Sequence, residues 1–189
     1  MKQSLGARPL LFPTPVLVIG SYDGSGKPNL MTAAWGGICC SDPPCVTVSL
    51  RKARHSYDSI VVRRAFTVGI ADEAHMVAAD YSGIVSGRDA DKFAVAGLTP
   101  ARSELVDAPY AEELPLVLEC RLLHTLELGI HTQFIGEIVD VKAAPEILSE
   151  DGLPDILKAQ PLVYDTARKG YHAVGPLLGR AFSIGKKIL

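Results

Sequence analysis

The 189-residue chain has no excess of positive charge: 19 Lys and Arg stand against 21 Asp and Glu, a formal net charge of −2. Nucleic-acid binders draw most of their affinity from neutralising phosphates, so no nucleic-acid partner is expected. Nor is there a run of about eighteen apolar residues, so no membrane-spanning helix is expected. The opening "MKQSLGARPLLFPTPVLVIG" puts Lys2 and Arg8 before apolar residues, but Pro9, Pro13 and Pro15 interrupt them and no small-residue cleavage site follows. That pattern argues against a secretory signal, and a cytoplasmic location is expected. Repeats, charge blocks and low-complexity linkers are missing as well, which predicts one domain over residues 1–189.

Signatures of metal and nucleotide chemistry are also absent. Histidines at 55, 75, 124, 131 and 172 form no HExxH pattern. In "GSYDGSGK" the spacing of a phosphate loop fails, and Pro28 stands where magnesium would need Ser or Thr. No GxGxxG opens a helix, and no nucleophile-elbow signature is present. Cysteine is scarce, with four in the chain, and Cys39-Cys40-x4-Cys45 is neither a CxxC pair nor a zinc spacing. Adjacent strand residues point to opposite faces, so Cys39 and Cys40 cannot clamp one ion in regular geometry. The favoured reading is that the cysteines are small buried hydrophobes; a thiol or metal role for Cys39, Cys40 and Cys45 is the alternative.

What is present is a globular composition, 48% hydrophobic and 21% charged, long enough to bury a core without staples. "PVLVIGSYDGSGKPNLMTAAW" reads as a strand, a glycine turn at Asp23–Gly26 and a second strand that "SDPP" at 41–44 stops. Strands follow at 45–50, 65–71, 114–128 and 131–144, the last two around Gly129-Ile130. Helices are expected at 55–64 and between Glu73 and Val85, where Val77, Tyr81 and Ile84 share one face with Met76 beside them. Hairpins dominate, so the expected fold is mainly β, an antiparallel barrel with helical excursions.

Two segments could bind an anion. Arg51, Lys52, Arg54 and His55 precede a helix starting near Ser56, whose hydroxyl could cap the helix or bind a phosphate oxygen at the positive N-terminus. A solvated basic turn explains them equally well. "SGRDADKF" offers Ser86, the Gly87 backbone and Lys92, yet by itself is read first as a surface loop. Trp35, the only tryptophan, lies among small residues in "NLMTAAW". It suits the wall of a pocket for a flat heterocycle as well as it suits the core. His131, at a strand start, reads first as structural.

In order along the chain, "GKPNLMTAAWGGICCSDPPCVTVSLRK", "SGRDADKF", "GLTPARSELVDAPY" and "HTQFIGEIVDV" resemble the flavin reductase-like FMN-binding split-barrel family, from about Leu5 to Lys186. The closing "GRAFSIGK" is most similar to its flavoredoxin branch. The resemblance implies a six-stranded split β-barrel, a homodimer, and FMN held non-covalently near the subunit interface. It places Asn29, Met31, Thr32, Ala33, Ala34 and Trp35 along the ring and ribityl chain, with Ser49, Leu50 and Arg51 also against the flavin. Ser56 and Lys92 would hold the phosphate, assisted by Ser86 and Gly87. His131 would stand where an electron donor docks, and Tyr164 beside the ring. Electrons would come from NADH or NADPH, or from a redox protein if the chain is a carrier. A non-redox ligand-binding protein on the same barrel is the rival reading.

Overall fold

The computed structural model describes residues 1–188. Its main feature is a seven-stranded antiparallel sheet. Strand β1 (Thr14–Pro15) leads into β2 (Leu17–Tyr22), which pairs with β3 (Pro28–Ala33) through the predicted turn. There Asp23 Oδ1 accepts from the backbone of Ser25 and Lys27, at 2.8 and 2.9 Å, and Gly26 takes a φ of +86° that a Cβ would oppose.

The predicted second strand is in fact two. It breaks at Ala34-Trp35 and resumes as β4 (Gly36–Ser41). The "SDPP" segment is the turn from β4 into β5 (Pro44–Leu50), with Ser41 opposite Pro44. Helix α1 (His55–Arg63), β6 (Ala65–Ile70), α2 (Met76–Ile84) and α3 (Lys92–Ala96) follow. A short pair, β7 (Pro100–Arg102) and β8 (Pro109–Ala111), precedes the long hairpin of β9 (Leu116–Leu128) and β10 (His131–Ala143). Helix α4 (Ile156–Ala159) then leads to β11 (Val163–Asp165) and β12 (Gly170–His172), which form a three-stranded sheet with β1.

Strand order in the large sheet is β3-β2-β6-β9-β10-β5-β4. β3 and β4 therefore lie at opposite edges although only Ala34 and Trp35 separate them in sequence. A flat sheet cannot satisfy that connection, so the sheet rolls into a barrel and its edges meet at this corner. Ser49 N donates to Trp35 O at 2.8 Å across the seam. Among the described residues the outer edge of the rest of β3 has no strand partner, and the barrel is split there. The seven strands replace the six expected because the corner divides one predicted strand; the architecture is otherwise as expected.

Both faces of the sheet are buried along β2, β3, β6 and the first half of β9. Leu17, Ile19, Met31, Val48, Phe66, Leu118 and Phe134 fill the barrel, with Ile60 of α1 plugging one end. Val16, Val18, Leu30, Phe93 and Val117 pack outside it against the helices. Truncating Phe66 or Phe134, both without solvent exposure, would cost about 3–5 kcal/mol.

Two local expectations differ. In α2 the buried residues are Ala79 and Ser82, while Val77 and Ile84 are largely exposed. Close approach to β3 decides the orientation: Thr32 Oγ1 donates to Ala79 O at 2.5 Å, and a Cβ on Gly83 would sit 3.3 Å from Thr32 Cβ. Small side chains, not the larger apolar ones, fit that contact. In "SGRDADKF" the end is helical, because Asp91 accepts from Ala94 N at 3.2 Å as an N-cap and Phe93 is buried.

Candidate functional site

The split in the barrel opens a groove along the free edge of β3, in three connected parts. At one end is a cradle of about 70 Å³ lined by Asn29, Arg54, Ser56, Ser86, Gly87 and Lys92, among others. Its neighbour, about 260 Å³, shares Met31 and Arg54 with the cradle and adds Thr32–Trp35, Ser49–Arg51 and His131. The far part, about 400 Å³, lies on the other side of Thr32–Trp35 and is bounded by Ile84, Tyr164 and Tyr171.

The cradle is built from buried donors. Ser56, fully buried, accepts a 2.9 Å hydrogen bond from Asn29 Nδ2, which leaves its own hydroxyl hydrogen free. Lys92, a residue only 3% exposed, donates through its ammonium to Leu30 O and Ser82 O, each at 2.8 Å. One of its three N–H bonds remains for the cradle. Burial first, then the neighbouring Arg54 charge, lowers the Lys92 pKa to about 8. His55 is shifted down as well, by burial and by Arg88, despite Asp23 nearby. No lining residue is Asp or Glu. Donors, one buried cation and no carboxylate describe an anion site.

Gly87 completes it. A Cβ there would lie 2.1 Å from Asn29 Oδ1 and 2.6 Å from His55 Cδ2, so only glycine admits this approach of the loop backbone. Ser56 does not cap α1, as one reading had it. The N-cap position is Arg54, and no side chain caps the helix. Tyr57 N donates to Arg54 O at 3.0 Å, which leaves the N–H groups of His55 and Ser56 beside the cradle.

In the middle cleft the side chains of Met31, Ala33 and Leu50 point into the core. They therefore present backbone, not side chain, to the groove. Thr132 pairs with Leu50 across β10 and β5, which sets His131 at the cleft mouth near Arg51. Trp35, 37% exposed, is wall and not core.

Every residue anticipated for the site lines this one groove: Asn29, Met31–Trp35, Ser49–Arg51, Ser56, Ser86, Gly87, Lys92, His131 and Tyr164. Not anticipated were Tyr171, Asp80 and Lys169 in the far cleft. The strand pairing of Tyr164 with Tyr171 reveals Tyr171 and Lys169, in a segment that reads as irregular tail in the sequence, whereas Asp80 comes from α2. Arg54 was visible as part of a basic run, but its double place in cradle and cleft was not. The cysteines divide: Cys45 and Cys120 are buried as packing residues, whereas Cys39 and Cys40 are exposed on edge strand β4. Ile38 to Ser41 are all exposed, so both faces of this end of β4 stand clear of the core and neither cysteine turns inward. Among the described residues no group of three or more His, Cys, Asp or Glu is placed to hold a metal.

Comparison with known proteins gives a consistent answer. The family profile described as "Flavin reductase like domain" matches residues 9–175. Flavoredoxin of Desulfovibrio vulgaris (Miyazaki F) is 53% identical, with 98% of this chain and 100% of that one covered at a TM-score of 0.94. Flavoredoxin from Methanosarcina acetivorans is 30% identical over the whole of both chains, at a TM-score of 0.91. A protein of Archaeoglobus fulgidus is 32% identical over 77% of this chain and 80% of its own length. With the split barrel and the groove in place, the chain belongs to the flavin reductase-like family.

Proposed function

We propose that the groove binds FMN and that the chain, acting as a single domain over 1–189, is an FMN-dependent oxidoreductase. The carrying observation is the cradle at the end of the groove: Ser56, Lys92 and the Gly87 backbone form a carboxylate-free set of donors opening into a cleft walled by Thr32–Trp35. A flavin mononucleotide has the matching chemistry, an anionic phosphate at one end and a flat ring at the other.

In this reading Ser56 and Lys92 would hold the phosphate, with Ser86 and the Gly87 backbone beside it. Asn29 would face the ribityl chain. Exposed backbone groups of β3 and Ser49–Arg51 would read the polar edge of the ring, and Tyr164 would flank it beyond Trp35. Bound FMN supplies the hydride and electron chemistry. The protein supplies position and field. Arg51 and Arg54 put positive charge at the cleft, where negative charge on a reduced ring is stabilised. His131 stands at the mouth, where NADH or NADPH would approach. No acid–base pair is needed among the side chains.

The assembly is a homodimer in the same reading. Leu126, Leu128 and Ile130 at the tip of the β9–β10 hairpin are each at least half exposed, immediately before His131. An apolar patch beside a half-open cleft suits cover by a second copy. Steady-state oxidation of NADH and NADPH by the FMN-loaded chain tests the enzymatic claim. Turnover well above the rate of free FMN supports it. Reduction only by a redox protein would make the chain an electron carrier.

A further inference from the structure

The far cleft differs in character from the rest of the groove. It shares Thr32–Trp35 with the middle cleft but no lining residue with the phosphate cradle. A cofactor anchored in the cradle runs naturally into the middle cleft, through Met31 and Arg54. The far cleft is then a second compartment, on the other side of the same wall.

Its lining is specific. Trp35, Tyr164 and Tyr171 contribute three aromatic rings, with the tyrosine centroids 5.7 Å apart and tilted by 49°. Val16 and Ile84 add aliphatic surface. A volume of about 400 Å³ lies near the lower end of small-molecule pockets and suits one ring better than a dinucleotide. Two charges border it. The Asp80 carboxylate accepts a 2.7 Å hydrogen bond from the Tyr171 hydroxyl. Burial and that bond push the Tyr171 pKa up, so the hydroxyl keeps its proton and occupies one carboxylate oxygen. Lys169, at the exposed β11–β12 turn, has no ion-pair partner among the described residues. Among the described residues it is the one cation that lines the cleft.

We propose that this cleft is a second-ligand pocket for a one-ring aromatic acid, its ring among Trp35, Tyr164 and Tyr171 and its anionic group on Lys169. The inference rests on the FMN reading, because it assigns the middle cleft to the cofactor. It deepens that reading by naming the class of small molecule presented beside the ring.

Trp35 is the chain's only tryptophan, so its fluorescence reports the cleft directly. Benzoate and its neutral isostere benzamide are titrated into the FMN-loaded protein, following Trp35 emission and the flavin difference spectrum. Saturable binding of benzoate is expected. Lys169→Gln should weaken benzoate by about three- to fivefold, the worth of one partly exposed charge pair, and leave benzamide unchanged. Tyr164→Leu should weaken both. Linear, non-saturating titrations with either probe, or equal benzoate affinity in Lys169→Gln, would overturn the proposal. FMN retention is measured separately on the same samples. If FMN is not retained, the cofactor reading fails, and titration of the FMN-free chain still decides through Trp35 whether the cleft takes the acid.

Discussion

Asn29 Nδ2 donates to Ser56 Oγ at 2.9 Å, joining β3 to the first turn of α1 inside the barrel split. The two residues are 27 apart in sequence and both are almost wholly buried. A buried serine used only as an acceptor keeps one donor in reserve. The bond therefore does two things: it locks the edge strand against the helix, and it aims the spare hydroxyl hydrogen into the cradle. Ser56→Ala removes that donor and leaves the Asn29 amide short of an acceptor. FMN affinity should fall by about tenfold or more, as for one charge-assisted hydrogen bond, measured by quenching of flavin fluorescence. Ser56→Thr should bind FMN with affinity close to the parent.

Lys92 supplies the only buried charge of the cradle. Lys92→Met keeps most of its volume and removes the cation, at the cost of two carbonyls, Leu30 O and Ser82 O, that lose their donor. A fall in stability of about 1–3 kcal/mol is expected from those orphaned acceptors. Thermal unfolding of the apo form reads it. FMN affinity should fall further than this, whereas affinity for riboflavin, which lacks the phosphate, should be nearly unchanged. Equal losses for both flavins would remove Lys92 from the phosphate site.

The lowered Lys92 pKa of about 8 gives two pH effects of opposite sign. Between about 8 and the ordinary lysine range the unfolded chain binds more protons at this group than the fold does, so its contribution raises apo stability as pH rises. Phosphate binding needs the ammonium, so FMN affinity falls over the same window. Below about pH 6 the phosphate itself takes up a proton, and affinity falls again. FMN titrations from pH 5 to pH 10 should show a plateau between these limits, at about 6 to 8.

Gly87→Ala places a methyl group 2.1 Å from Asn29 Oδ1 and 2.6 Å from His55 Cδ2. Asn29 must turn away, which breaks its bond to Ser56. The variant should fold, since the clash lies on a partly exposed loop, but should lose FMN by at least about tenfold. Unchanged affinity would mean that the loop moves freely and does not form the cradle.

Among the thiols, burial pushes Cys39 up as it does Cys45 and Cys120, so accessibility and not acidity sets the order of reactivity. Cys39 and Cys40 are exposed, while Cys45 and Cys120 are buried. A thiol-alkylating reagent should label two cysteines in the native protein and four after unfolding, as read by mass. Cys39→Ala with Cys40→Ala should leave FMN content intact; loss of FMN would restore a role for the thiols.

Much of this was legible in the sequence, for identifiable reasons. The β9–β10 hairpin and the Asp23–Gly26 turn follow from alternation and glycine placement, which are local. The two anion-binding segments were readable as chemistry, but that they meet depends on β3 passing between α1 and the loop after α2, which no local pattern carries. The corner at Ala34-Trp35 was missed because its residues continue the apolar run of a strand, and only barrel closure requires the break. The buried face of α2 was misplaced because contact with Thr32 selects Ala79 and Ser82 over the larger Val77 and Ile84. Tyr171 carries no signal in the sequence because a three-residue strand leaves no periodicity to read.

The most direct measurement compares FMN with riboflavin for binding to the wild-type apo chain, by fluorescence titration under identical conditions at pH 7. The two ligands differ only in the phosphate that Ser56, Lys92 and Gly87 are proposed to hold. Two charge-assisted hydrogen bonds predict that FMN binds at least about a hundredfold more tightly. Equal affinities would show that the cradle does not hold the phosphate and would contradict the assignment of the groove to FMN.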